Sequence, residues 1–275
     1  MVEEQEVKEL LEEVRHIEVQ SNRLVDDLMA GGYSSVFRGS GIEFDEVREY
    51  EQGDDPRTVD WNVTARVGRP FVKKYVDERD LTVLFLLDLS ASMTGGFGAW
   101  SARQMAARVC ACLALSAVRN NDKVGLIAFS RDVDRYVVPA KGFRHVLRII
   151  RDCLALPGSE ATEFAPALDY AASVVRRRSI LFLVSDFLAR DWQEVLTLCA
   201  RRHDVIAVRL LTPELVPPGA GLVRLQDPET GRSMVVDWRD AGVREAYTAR
   251  VAGWRRQTEG ALKRADVWCS LKIMT

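Results

Sequence analysis

Leu81 to Met93 reads LTVLFLLDLSASM, and its first half decides the fold. A short apolar run bounded by polar residues is a strand buried on both faces, the kind found in parallel sheets. Its second half, Asp88-Leu89-Ser90-Ala91-Ser92, places one carboxylate and two hydroxyls at alternating positions. Gly95, Gly96 and Gly98 then turn the chain into a helical segment. Asp88, Ser90 and Ser92 are thereby expected in the loop at the carboxyl end of a central strand, the edge of an open α/β sheet at which ligands bind.

These three side chains offer only hard oxygen donors, with no thiol or imidazole beside them in sequence. Such a set suits Mg²⁺, Mn²⁺ or Ca²⁺ rather than zinc. A strand end whose Asp and Ser merely cap the next helix would look the same. The pentapeptide alone leaves the two readings even.

The 275 residues carry a formal net charge of −2, and 47% of them are hydrophobic. That is enough for a full core in one large domain, or in one domain with an accessory segment. The near-neutral balance argues against a dedicated nucleic-acid binder. The 5 cysteines, Cys110, Cys112, Cys153, Cys199 and Cys269, are odd in number and scattered without metal-ligand spacing. Reduced thiols in a cytoplasm fit that pattern. The acidic N-terminus lacks the apolar stretch of a signal peptide, and no run approaches the roughly 18 apolar residues of a membrane helix. The expectation is a soluble, cytoplasmic protein.

Glu3 to Met29 has apolar residues at three- and four-residue steps and predicts a helix, stopped by Gly31 and Gly32. Tyr33 to Asp80 is too charged for a core and too aromatic for disorder. Within it, Pro70 to Val76 reads as an edge strand that tolerates Lys73 and Lys74. Its close alternation of charge, including Arg48, Asp54, Asp55, Arg57 and Asp60, fits either ion pairs that fix an irregular segment or a partner-binding surface. Isolated exposed pairs contribute only about 0–1 kcal/mol each, so such density implies a network or a partner. The segment is expected to be ordered and packed on the core, giving an N-terminal part at 1–79 and a main domain at 80–275.

Beyond Asp80 the pattern is regular. Helices are predicted at Trp100–Asn120, Phe143–Leu154, Phe164–Val175, Trp192–Arg201 and Ala241–Arg264. Strands are predicted at Lys123–Phe129, Val133–Val138, Ser179–Asp186, Asp204–Leu211 and Val267–Ile273. Leu222–Gln226 and Ser233–Trp238 form a hairpin through Pro228 to Gly231. Alternating strands and helices mean an α/β, mostly parallel, doubly wound sheet with helices on both faces. Arg176-Arg177-Arg178 and Arg201-Arg202 close predicted helices, where they complement the dipole. His16, His145 and His203 stand far apart, with no paired acid or nucleophile.

Two further residues bear on the site. Asp186 ends SILFLVSD, a second apolar run terminating in a carboxylate. If that strand neighbours Leu81–Leu87, Asp186 and Asp88 share one sheet edge. Thr162 precedes Phe164 at a helix start and is either an N-cap or a hydroxyl ligand from a third loop. Two carboxylates and three hydroxyls would leave an octahedral cation one open position for an incoming acid.

Asp88-Leu89-Ser90-Ala91-Ser92, Thr162, and Asp186 in Val184-Ser185-Asp186 resemble the metal-ion-dependent adhesion site (MIDAS) of von Willebrand factor A (VWA) domains. One departure is Ala161, where many such domains place Gly directly before the Thr. Upstream, Gly41-Ile42-Glu43-Phe44, Arg48-Glu49-Tyr50, Gly53-Asp54-Asp55-Pro56-Arg57 and Asp60-Trp61 resemble the signature of a bacterial domain-of-unknown-function family, number 58. This resemblance implies a VWA-like fold, a Mg²⁺ site and association with MoxR-type AAA+ ATPases as an adaptor.

The leading expectation is a non-enzymatic, metal-dependent protein-interaction module. The alternative is a Mg²⁺-dependent phosphoryl-transfer enzyme using Asp88 or Ser90 as nucleophile. Against it, the chain has no G-x-x-x-x-G-K-[ST] and no G-x-S-x-G. Nucleic-acid binding through Arg66, Arg69, Lys73 and Lys74 is a third and weaker reading; it predicts strong salt dependence.

Overall fold

The computed structural model describes residues 42–51, 54–77, 81–96, 100–158, 162–219, 221–227 and 229–274. They fall in two compact units, 42–77 and 81–274. The helix expected over Glu3 to Met29, together with Gly41 and Gly53, lies outside the described residues.

In the smaller unit, strand β1 (Ile42–Glu49) pairs antiparallel with β2 (Phe71–Asp77), and helix α1 (Trp61–Val67) lies between them in sequence. Sequence reading anticipated β2 but neither β1 nor α1. The reason in β1 is a register shift between Phe44 and Glu46. The extra residue moves the apolar positions from even (Ile42, Phe44) to odd (Val47), which breaks the period-2 signal. Helix α1 is a single short run without an apolar stripe, and local chemistry defines it instead. The Asp60 carboxylate accepts the N–H groups of Asn62 (2.9 Å) and Val63 (3.3 Å), and Gly68 at φ 78° closes the other end.

The larger unit holds a six-stranded sheet. Its elements in chain order are β3 (Thr82–Asp88), α2 (Ala102–Arg119), β4 (Lys123–Phe129), β5 (Val133–Ala140), α3 (Phe143–Ala155), α4 (Phe164–Val174), β6 (Ile180–Ser185), α5 (Gln193–Ala200), β7 (Asp204–Leu211), β8 (Leu222–Gln226), β9 (Ser233–Asp237), α6 (Ala241–Arg264) and β10 (Trp268–Met274). The strand order is β10-β7-β6-β3-β4-β5, parallel throughout except for the antiparallel edge strand β5. This is the doubly wound, mostly parallel α/β sheet that alternating strands and helices imply.

β3 lies inside the sheet, between β6 and β4, and everything from Val83 to Ser90 is buried. Leu84 and Leu86 pack among Phe164, Leu168, Leu196 and Leu262 of α4, α5 and α6. Val83, Phe85 and Leu87 point to the opposite face by the period of the strand, where Phe85 stacks on Phe182 of β6 at 5.4 Å. Helix α2 presents Ala106, Ala107, Ala111 and Ala114, all buried, and small side chains let it lie close to the sheet. Gly125 of β4 makes room for its neighbouring strands instead: a Cβ there would stand 2.8–2.9 Å from Pro139 and the Val137 carbonyl oxygen of β5 and from Leu84 of β3.

Parallel pairing has one consequence for function. The carboxyl ends of β3, β6 and β7 all reach the same edge, so the loops that follow them are neighbours however far apart they lie in sequence. The loop after β7 leads through a short 3-10 turn (Pro213–Leu215) into the β8–β9 hairpin. Among the described residues, no helix is long and apolar enough to cross a membrane.

Candidate metal centre

Asp88 is the last residue of β3 and is fully buried. Its Oδ1 accepts the backbone N–H of Ser90 at 2.9 Å, and its Oδ2 accepts the Ser185 hydroxyl at 2.6 Å. The chain then enters a 3-10 turn, Ala91–Thr94, which brings Ser90 Oγ and Ser92 Oγ to 3.0 Å from each other. Neither serine caps the following helix. The cap of α2 is Ser101, which forms a reciprocal capping box with Gln104. The helix-cap alternative for the pentapeptide therefore fails on geometry.

Asp186 follows β6 and is buried beside this loop. Its Oδ1 accepts the Leu188 N–H at 2.9 Å. Between them, Phe187 takes the left-handed conformation, with φ 62°. Such a conformation costs about 1–3 kcal/mol in a residue with a Cβ. Burial of the ring offsets that cost: Phe187 packs against Phe164 (5.6 Å) and edge-on to Trp192 (5.3 Å). An aromatic anchor thus fixes the backbone on which Asp186 is mounted.

The electrostatics follow from burial without a neutralising neighbour at Asp88. Desolvation, and then the like charge of Asp186, push the Asp88 carboxyl up to about 7, against the hydrogen bonds from Ser185 and Ser90. Asp186 is likewise raised by burial. The Leu188 N–H, the Ser92 hydroxyl and the charge of Arg209 oppose the rise. Arg209 is fully buried on β7 next to Ser185, its guanidinium 4.1 Å from the Trp254 ring centroid.

Thr162 lies with Ser92 in the lining of a cleft of about 730 Å³ at this edge. It does not cap α4; Glu163 stands at the cap position and makes no side-chain bond there. The Thr162 hydroxyl instead donates to Glu229 Oε1 at 3.1 Å, from the tip of the β8–β9 hairpin. Burial raises the Glu229 carboxyl, as do the charges of Asp186 and Asp227, while the Thr162 hydrogen bond lowers it. Gly158, just before this loop, approaches the β3 loop so closely that a Cβ would sit 2.6 Å from the Leu89 carbonyl oxygen.

Asp88, Ser90, Ser92 and Asp186 are thus brought together, while Thr162 is linked to them only through the cleft it lines with Ser92. Two participants were not singled out from sequence. Ser185 lies inside the quoted Val184-Ser185-Asp186, but its role as a clamp on Asp88 depends on β3 and β6 being neighbours. Glu229 lies in a turn whose composition signals only a turn. Among the described residues no group of three or more His, Cys, Asp or Glu side chains is placed to hold a metal ion; this edge offers two carboxylates supplemented by hydroxyls. Two buried acids repelling each other, faced by paired hydroxyl oxygens, fit a hard divalent cation: positive charge there would relieve the burial cost that raises both.

The charged residues of the smaller unit have local partners. Arg48 makes a two-pronged bond to Asp54 (2.9 and 2.6 Å), Asp55 accepts the N–H of Arg57 at 2.9 Å, and Asp60 caps α1.

Fold and site together define a doubly wound α/β domain with a hard-oxygen cluster at the carboxyl edge of its sheet. The chain belongs to the family described as "Protein of unknown function DUF58", whose profile matches residues 46–257. Uncharacterized proteins of Mycobacterium bovis and Mycobacterium tuberculosis are each 32% identical to it over 225 residues, covering 79% of this chain and 70% of theirs. Among solved structures it is similar to an aerotolerance-related membrane protein from Bacteroides fragilis, with 15% identity, a TM-score of 0.44, and coverage of 70% of this chain and 91% of that one. It is also similar to the SpRpn10 VWA domain, with 13% identity, a TM-score of 0.35, and coverage of 47% and 75%.

Proposed function

We propose that the protein is a non-enzymatic docking module that engages its partner through a divalent cation, Mg²⁺ by donor type, held at Asp88, Ser90, Ser92, Thr162 and Asp186. The observation that carries this reading is the pair of buried carboxylates, Asp88 and Asp186, set beside the Ser90 and Ser92 hydroxyls. When bound, the cation would offer an electrophilic position to an anionic ligand. The chain's own residues do the rest. Ser185 and the Ser90 N–H hold Asp88 in one rotamer. The Leu188 N–H holds Asp186. Leu188, 49% exposed, and Ala189 supply apolar surface on the rim of the cleft. A contact between a cation and a partner carboxylate is strong only when desolvated, so such surface would be covered on binding.

The environment of Asp88 and the serines also speaks against the phosphoryl-transfer alternative. Both Asp88 oxygens are engaged and the residue is fully buried, which leaves no line of attack for a nucleophile. The Ser90 hydroxyl is itself fully buried, with the Ser92 hydroxyl and the Asp88 carboxylate as its neighbours. The partner proposed is a MoxR-type AAA+ ATPase, which the family resemblance implies, with the protein acting as its adaptor. The test is titration calorimetry of that ATPase against wild type and Asp88→Asn, with Mg²⁺ and with EDTA. Binding that requires Mg²⁺ and is lost in Asp88→Asn supports the reading. Equal binding in all four conditions removes the metal site as the docking point and turns attention to Arg48, Asp54, Asp55, Arg57 and Asp60.

A further inference from the structure

The β8–β9 hairpin is not part of the central sheet. Its strands pair with each other and with no third strand among the described residues. Leu222, Met234 and Val235 are 63%, 64% and 59% exposed. The hairpin is tied down at its two ends. At the base, the Trp238 N–H donates to the Gly221 carbonyl at 2.8 Å, and the buried Trp238 ring meets Tyr247 edge-on at 5.1 Å. At the tip, the tie is Glu229 to Thr162, a contact spanning 67 residues of sequence.

The tip is built to present Glu229. Asp227 Oδ1 accepts the N–H groups of Glu229 (2.9 Å) and Thr230 (3.3 Å), while Oδ2 accepts the Thr230 hydroxyl at 2.8 Å. Gly231, at φ 67°, returns the chain to β9. Asp227, Glu229 and Thr230 line the same cleft as Ser92 and Thr162. A threonine hydroxyl has one proton and two lone pairs. Donation to Glu229 uses the proton and leaves the lone pairs for a cation, so the contact is compatible with metal binding.

We propose that Glu229 is a built-in carboxylate occupant of the docking site: the hairpin tip fills the place a partner's acid must take, and the hairpin has to swing out on its Trp238 base for docking to occur. This rests on the metal-dependent docking reading above. An intramolecular ligand competes at an effective concentration of millimolar order. Its removal should therefore improve access for an external carboxylate by roughly tenfold or more.

The test compares wild type with Glu229→Gln, using Mn²⁺ as the ion and acetate as the external carboxylate. Mn²⁺ affinity is measured by calorimetry, and acetate access by the paramagnetic relaxation of its protons on the loaded protein. Hydrogen exchange at residues 222–237, with α6 as internal reference, reports hairpin release in the Mn²⁺-loaded protein, where the neutral glutamine no longer ties the tip to the ion. The expected result is Mn²⁺ binding in both proteins, stronger acetate relaxation in Glu229→Gln, and faster exchange confined to the hairpin. Mn²⁺ bound by both, with equal acetate relaxation, overturns the occupant role while leaving the docking site standing. Weaker Mn²⁺ binding in Glu229→Gln without added acetate access makes Glu229 a positioning residue for Thr162 and overturns the gate. Mn²⁺ bound by neither protein overturns the metal reading and the gate with it.

Discussion

Replacing Asp88 by asparagine isolates the electrostatic cost of the site. In the metal-free protein the Asp88 carboxyl is raised from 3.8 to about 7 by burial and by the charge of Asp186. An acid whose pKa is higher in the folded state binds its proton more tightly there. Its contribution to stability is therefore fully present below pH 3.8 and is lost as the pH rises to about 7. Multiplying the interval between 3.8 and 7 by 1.36 kcal/mol per pH unit gives a loss of the order of 4 kcal/mol. The asparagine amide cannot ionise, so the Asp88→Asn variant should lack this slope. It also keeps an acceptor for the Ser90 N–H and a polar group facing Ser185, which an alanine substitution would strand. The assay is urea unfolding at half-unit steps from pH 5 to 8 in EDTA. Wild type should lose stability relative to Asp88→Asn across that window. Saturating Mg²⁺ should return stability to wild type only, by about 2.7 kcal/mol at a concentration 100 times Kd. Parallel pH profiles for the two proteins would refute the burial and pairing on which the site rests.

Ser185→Ala removes the hydroxyl that clamps Asp88 Oδ2 at 2.6 Å; Mg²⁺ affinity by calorimetry should fall roughly 10–100-fold with the fold retained. Phe187→Ala deletes the buried ring that offsets a left-handed backbone, and urea melts should show a loss of about 3–5 kcal/mol together with weaker Mg²⁺ binding through Asp186. Gly158→Ala places a Cβ 2.6 Å from the Leu89 carbonyl oxygen; a destabilisation of about 1–3 kcal/mol is expected in thermal melts, with reduced Mg²⁺ affinity because the β3 loop must shift.

What could be read from the sequence follows the period of the signal. β3 and β6 are apolar at nearly every position because both of their faces are covered, and a run of that kind announces both the strand and its place inside a sheet. A carboxylate at the end of each run then places Asp88 and Asp186 on one edge, since parallel strands end together. The smaller unit was harder. The register shift after Phe44 breaks the alternation of β1, and Asp60 and Gly68 specify α1 by caps with almost no burial along it. Ser185 was in view as a residue but not as a partner, because its hydrogen bond crosses from β6 to β3 and depends on strand order, which composition does not encode.

Glu229 marks the limit of local reading most clearly. Asp227 to Gly231 carries the ordinary chemistry of a turn, and nothing in the flanking strands hints at a cation site. Its position is a product of topology. β7 runs parallel to β3 and β6, so the chain leaves it at the edge where Asp88 and Asp186 stand. A hairpin inserted between β7 and α6 therefore emerges beside the cleft, whereas an insertion after an amino-terminal strand end would lie across the sheet from it. The turn supplies rigidity through Asp227, the exposed strands supply reach, and the parallel sheet supplies the address. A carboxylate at that tip reaches the cleft that Ser92 and Thr162 line, where the charge of the buried Asp186 acts on it.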